Sequence, residues 1–194
     1  MYMKKMIVFL FITICFINFS CESVTEDFFD AVKEGNVEKV KLALNKDADI
    51  NVKDKSGKTA LILAVINNKI EVAKLLIEKG ANIEIKDNSN NTALNYALLQ
   101  GFVDIAKLLF SRNARFNMDE IAPNPFLKAI NDNNIGMAEL LISKGINVKS
   151  VNGIGKLAII SAIEANHFEA TKLLLDKGVI VSGQEQYFPT PPLI

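Results

Sequence analysis

Apolar positions in this chain fall in short stripes separated by short polar breaks. From Ile70 to Lys79, the residues Val72, Leu75, Leu76 and Lys79 stand at i, i+3, i+4 and i+7, and the first three are apolar. That spacing predicts one face of an amphipathic helix. Ahead of it, Ala60-Leu61-Ile62-Leu63-Ala64 predicts a second short helix running to about Asn67, with Thr59 placed to cap it. The break before Thr59, Asp54-Lys55-Ser56-Gly57, has the composition of a tight turn, and Gly80 stands where the later helix must end. Helices this short do not persist alone in water, so each must be held by its neighbours.

The pattern returns at a fixed distance. Gly57-Lys58-Thr59-Ala60-Leu61 recurs as Asn90-Asn91-Thr92-Ala93-Leu94, and Leu75-Leu76 as Leu108-Leu109, with the same offset of 33 in both cases. Asn113 replaces the helix-ending Gly80, and asparagine tolerates the left-handed conformation better than most residues. Self-similarity at this period marks a repeat array. A turn, a Thr-Ala-Leu opening, a second helix with paired leucines and a Gly80-Ala81-Asn82 close resemble the ankyrin repeat. The resemblance implies an all-α fold, an ankyrin-repeat solenoid of stacked helix pairs with β-hairpin loops. Five repeats are expected within 25–182, at about 25–56, 57–89, 90–121, 122–154 and 155–182. The family's motif histidine is absent, its place being held by Phe29, Ile62, Asn95, Leu127 and Ile160.

In the first repeat, helices are expected around 27–33 and 37–44, with Ala31 and Leu42 one full period before Ala64 and Leu75. The core prediction is therefore Leu61, Ala64, Leu75, Leu76 and their echoes, Leu42 included. The fourth repeat comes early, Ala129 standing at an offset of 32 from Ala97, which places a deletion in the hairpin 118–123 and predicts a shorter or twisted turn there. Asn124-Pro125-Phe126-Leu127 then opens a helix, and proline is well tolerated in a first turn. The fifth repeat restores the register through Ala162, Leu173, Leu174 and Gly178. In the tail 183–194, Thr190-Pro191 falls one full period after Leu157-Ala158, where a sixth repeat would open. The tail is expected as a folded-back cap, as the start of a truncated repeat, or as a proline-rich end without either role.

The first twenty residues have a different character. Lys4 and Lys5 precede an apolar run over 7–19, broken by Thr13 and Asn18 and followed by Ser20 and Cys21. A basic start and a short apolar run have the form of a secretory signal peptide over 1–20, with 21–24 as spacer. Thirteen residues are too few to span a bilayer, which takes about 20. The placement of Cys21 resembles a bacterial lipoprotein cleavage site, which implies lipidation of Cys21 and a membrane-anchored protein facing the periplasm or the exterior. The alternative is an ordinary signal peptide and a secreted soluble protein. Removal of 1–20 also removes Cys15, which leaves no internal disulfide to form, so stability must come from packing between repeats.

Charge is balanced at 22 basic and 22 acidic residues, which gives no support to nucleic-acid binding. His167 is the one histidine, so a multi-histidine metal site is excluded by inventory. It is expected on a surface turn, without the oriented partner that a general base needs. Gly153-Ile154-Gly155 lacks the third glycine of a phosphate loop and sits where hairpin glycines are expected. No Gly-x-Ser-x-Gly nucleophile motif is present. No catalytic constellation emerges, and neither cofactor nor metal is expected.

The resemblance places the partner-binding surface on hairpin tips and the exposed side of each first helix, the concave face of the family's array. By position this gives Lys53, Lys55, Ser56, Lys58, Ile66 and Asn67 in the second repeat, and Lys86, Asn88, Ser89, Asn91, Leu99 and Gln100 in the third. The fourth and fifth contribute Glu120, Asn131, Asp132, Lys156 and Glu164. The early tips are basic, through Lys53, Lys55, Lys58 and Lys86, and the later positions tilt acidic. The expected function is a non-catalytic, monomeric protein-interaction module whose protein partner presents an acidic patch, with membrane contact only through the anchor or signal peptide. The alternatives are an inhibitor or protector of one exported enzyme or toxin, and an unrecognised hydrolase.

Overall fold

The computed structural model describes residues 25–117, 121–148 and 154–179. The signal peptide, Cys21, Glu120, Gly153 and the tail 183–194 lie outside those residues, as does the Lys156 side chain.

Ten helices form five consecutive pairs among the described residues. They are α1 (25–34), α2 (Val37–Asn45), α3 (Ala60–Ile66), α4 (Ile70–Glu78), α5 (Ala93–Gln100), α6 (Val103–Ser111), α7 (Pro125–Asn131), α8 (Ile135–Ser143), α9 (Ile154–Glu164) and α10 (Phe168–Asp176). The chain divides into two compact units, one ending at Asn117 and the other starting at Met118. In the first unit α3 packs on α4 and α5, and α4 packs on α2 and α6. In the second, α7 packs on α8 and α9, and α8 packs on α10.

The helix ends follow from local chemistry. The Thr59 and Thr92 hydroxyls accept from the N–H of Ile62 and Asn95, and Asn124 Oδ1 accepts from Phe126 and Leu127 with Pro125 in the first turn. The turn inside each pair has its left-handed residue at Gly35, Asn68, Gly101, Asn133 and Asn166. The second helix of each pair is followed by another at Asp47, Gly80, Asn113, Gly145 and Gly178. Both series are spaced 33, 33, 32 and 33, so the period read from leucines is also written in backbone dihedrals. Only Gly, Asn and Asp occupy them, the residues that adopt this conformation at least cost.

The core is apolar and continuous within each unit. Leu61, Ile62, Leu76, Leu94, Leu98, Ile105 and Leu109 are fully buried in the first, and Phe126, Ile130, Met137 and Leu141 in the second. Burying one such side chain contributes about 1.5–3 kcal/mol, whereas a helix cap contributes about 1 kcal/mol. Packing therefore holds the pairs together, and the caps set where they end.

Two expectations, at Leu42 and Gly155, need correction. Leu42 is 54% exposed, because it lines an open hollow with Asp27, Asp30 and Lys39 at the start of the array. Its register partners Leu75, Leu108 and Leu140 are partly covered by comparison. The hairpin loops contain no strand among the described residues; the Asp54 N–H bonds the Lys58 carbonyl, the Asp87 N–H bonds the Asn91 carbonyl, and Lys53 and Thr59 form an antiparallel bridge. Gly155 is not in a turn: it lies in the first turn of α9 and is buried, with the carbonyl of Val148 in the space a β-carbon would need.

Candidate functional site

The hairpin tips of the first unit are built around two carboxylates at one register. Asp54 Oδ1 accepts from the backbone N–H of Ser56 and Lys58, both at 2.8 Å, and from Ser56 Oγ at 2.7 Å. Asp87, one repeat further on, accepts from the N–H of Ser89 and Asn91 at 2.9 and 3.0 Å. Its other oxygen accepts from the Tyr96 hydroxyl at 2.6 Å, and Lys58 Nζ stands 3.9 Å away. An aspartate placed this way satisfies the turn's own donors, the Asx-turn logic.

Burial works to raise the Asp54 carboxyl, but hydrogen bonds from Ser56 and Lys58 and the Lys58 charge outweigh it and hold the group below its ordinary value. At Asp87 burial is likewise outweighed, by the Tyr96 hydroxyl and the Asn91 and Ser89 N–H groups. Burial, and then donation to the Asp87 carboxylate, push Tyr96 up to about 12.

Adjacent tips are stitched together at the repeat distance. Lys53 Nζ donates to the Lys86 carbonyl at 2.9 Å, and Asn88 Nδ2 donates to the Lys55 carbonyl at 3.2 Å. The Asn88 N–H donates to the Ser56 carbonyl at 3.1 Å. Behind the tips, Asn51 Oδ1 accepts from the Asn82 N–H and Glu84 Oε1 from the Arg115 N–H, both at 2.9 Å. These bonds remove much of the freedom a surface loop would otherwise lose on binding.

The positions singled out from sequence therefore separate. Lys53, Lys55, Lys86, Asn88, Ser89, Asn67 and Gln100 are exposed, while Ser56, Lys58, Ile66, Asn91 and Leu99 are half-buried. The structure brings Lys53, Lys55, Ser56, Lys86 and Asn88 onto one edge. Lys58 is turned inward, to Ser56 Oγ at 2.9 Å and towards Asp87, so it belongs to the tip's interior. Asn67 Nδ2 is bonded to the Leu63 carbonyl. Asn131, Asp132 and Glu164 are exposed in the second unit, and Asp132 is paired with Lys128 at 2.6 Å.

A groove of about 760 Å³ runs beside these tips, lined by Glu26, Phe29, Asp30, Lys33, Lys53, Asp54, Lys55 and Ser56. Sequence reasoning passed over its first-repeat wall. The signal was available, since Lys33 stands at the register of Ile66 and Leu99.

His167 is half-buried, not an isolated surface residue, and its Nδ1 lies 3.1 Å from the Ile130 carbonyl. A carbonyl only accepts, so Nδ1 carries the proton and the ring ties the start of α10 to α7. Among the described residues, no group of three or more His, Cys, Asp or Glu is placed to hold a metal ion. No helix among them is long and apolar enough to cross a membrane.

Two family models match the chain: "Ankyrin repeats (3 copies)" over residues 28–120 and "Ankyrin repeats (many copies)" over 126–175. Among solved structures it is similar to the human ASB11 ankyrin repeat domain, with a TM-score of 0.65 and 19% identity, over 79% of this chain and 69% of that one. Among curated proteins none matches.

Proposed function

Because the chain belongs to the ankyrin-repeat proteins, a protein-interaction module, we propose that it binds an exported or envelope protein through the stitched tip edge of its first unit. The observation that carries this reading is the division of charge at the tips. Asp54 and Asp87 direct their oxygens to their own turns, while Lys53 and Lys55 remain on the exposed side. The edge therefore faces solvent with basic character and with fixed backbone geometry. A partner with an acidic patch complements it, the charges steering orientation and association rate more than affinity. The groove beside the tips, lined by lysines and carboxylates together, offers a place for polar side chains of the partner.

Export and anchoring belong to the same proposal and rest on sequence: Lys4, Lys5, the apolar run and Cys21. Lipid incorporation in the parent and its loss in Cys21→Ala would support the anchor, and unchanged membrane fractionation of that variant would remove it.

The binding reading is tested by crosslinked affinity capture from the native cells, with Lys53, Lys55 and Lys86 changed to Glu. Lys58 stays, because a carboxylate at that position would face Asp87 and unfold the tip. A protein captured by the parent and lost from the folded variant supports the reading, and equal capture by both moves the interface elsewhere.

A further inference from the structure

The last described helix pair presents apolar surface at positions that earlier pairs bury or half-bury. On α3, which is covered by α5, Ile62 and Val65 are 1% and 0% exposed. On α7, which is covered by α9, the residue at the Val65 register, Ile130, is 0% exposed. On α9 the same two registers hold Ile160 and Ile163, at 40% and 49%, with Leu157 beside them at 58%. Leu175 on α10 is 51% exposed, where its register partner Ile77 on α4 is 8%. Leu157, Ile160 and Ile163, at i, i+3 and i+6 of α9, share one exposed apolar face, and such a face is built to be covered.

The chain leaves α10 as it leaves the earlier second helices. Val179 N–H bonds the Leu174 carbonyl at 3.0 Å, as Ala81 bonds Leu76, Ala114 bonds Leu109 and Ile146 bonds Leu141. Gly178 is left-handed like Gly80 and Gly145, and Val179 is buried like Ala81 and Ile146. From that point fifteen residues, 180–194, follow. Thr190 falls at the register of the caps Thr59, Thr92 and Asn124, and Pro191 at that of Pro125, the first residue of α7. Leu193 stands three residues after Thr190, where Ile62 and Asn95 stand after their caps.

We propose that residues 180–194 dock on the apolar end of α9 in the register of a sixth repeat, with Thr190 capping a helical turn opened by Pro191 and with Leu193 laid against Ile160 and Ile163. The inference is independent of the tip-edge reading, since every residue in it lies in the second unit.

The test is amide hydrogen exchange on the full chain, beside a double-mutant cycle. In the docked tail the Leu193 N–H is held by Thr190 Oγ1, so its exchange is slowed at least about ten-fold and returns to the free rate in Thr190→Val. Free-rate exchange in the parent overturns the proposal. For Leu193→Asp and Ile160→Asp, the docked tail requires losses in Tm that are less than additive, because either variant alone breaks the same contact. Additive losses contradict it. Sedimentation gives the remaining arm: a monomer is expected, and a dimer that Ile160→Asp dissociates would assign the face to a second copy of the chain and overturn the tail.

Discussion

The hydroxyl of Tyr96 donates to Oδ2 of Asp87 at 2.6 Å, joining the second turn of α5 to the hairpin that precedes it. The other Asp87 oxygen is taken by Ser89 and Asn91. One buried carboxylate thus fixes the tip's turn and its angle to the helix, and Lys58 of the preceding tip is drawn towards the same group. The exposed edge is supported from beneath by this cluster.

Tyr96→Phe removes one charge-assisted donor and is expected to cost about 1.5–3 kcal/mol. Asp87→Ala leaves that donor and two backbone N–H groups unpaired and should cost more than the tyrosine change. Urea titration of both variants measures this, and a double-mutant cycle should show the two losses to be strongly non-additive.

The same cluster contributes to the pH dependence of stability. Asp54 and Asp87 have folded values below 3.8, so their contribution is complete above the unfolded value and is lost as pH falls through the lower folded value. Tyr96 has a folded value of about 12 against 10.0, so its contribution is complete below 10.0 and is lost as pH rises towards 12. Thermal scans should show Tyr96→Phe destabilised relative to the parent at pH 8, with the gap narrowing between those two values.

Gly57 is left-handed at φ 77°, and a β-carbon there would meet Asn88 Oδ1 and lie 2.8 Å from the Asn88 N–H nitrogen. Gly57→Ala is therefore expected to strain one tip and push the next away, at a cost of more than about 1 kcal/mol. Gly155→Ala meets the Val148 carbonyl, which is backbone and cannot step aside as a side chain can. Both variants should lower Tm. By contrast Gly80→Ala meets nothing within 4 Å and keeps only its dihedral strain, so it should cost the least of the three.

His167→Leu removes the bond to the Ile130 carbonyl and should cost about 0.5–1.5 kcal/mol, with His167→Gln recovering part of it. Nitrogen-15 NMR of the imidazole should find Nδ1 protonated.

Period, helix ends and most of the core were legible because they depend on single residues at fixed spacing. Thr59, Gly80, Asn113 and Pro125 each do locally what their chemistry dictates. The exposure of Leu42 was not legible, because a register that half-buries Leu75, Leu108 and Leu140 does not reveal the open hollow beside Leu42. Asn95 shows a milder form of the same effect. At the place of the missing motif histidine it accepts from the Thr92 hydroxyl at 3.0 Å and returns its own N–H, so the cap closes by another route. Among the candidate site residues, charge alone could not separate Lys58, whose ammonium is held inside the tip, from Lys55, which stays on the exposed edge.

The most direct measurement places a photo-crosslinking residue at position 55, on the tip edge, or at position 74, on the exposed side of α4. The protein is irradiated in its native cells. A discrete adduct from position 55 that is absent from position 74 is the expected result, and it should weaken when Lys53 and Lys86 are reversed in charge. An adduct from position 74 with none from 55 would place the interface on the second helices and contradict the account.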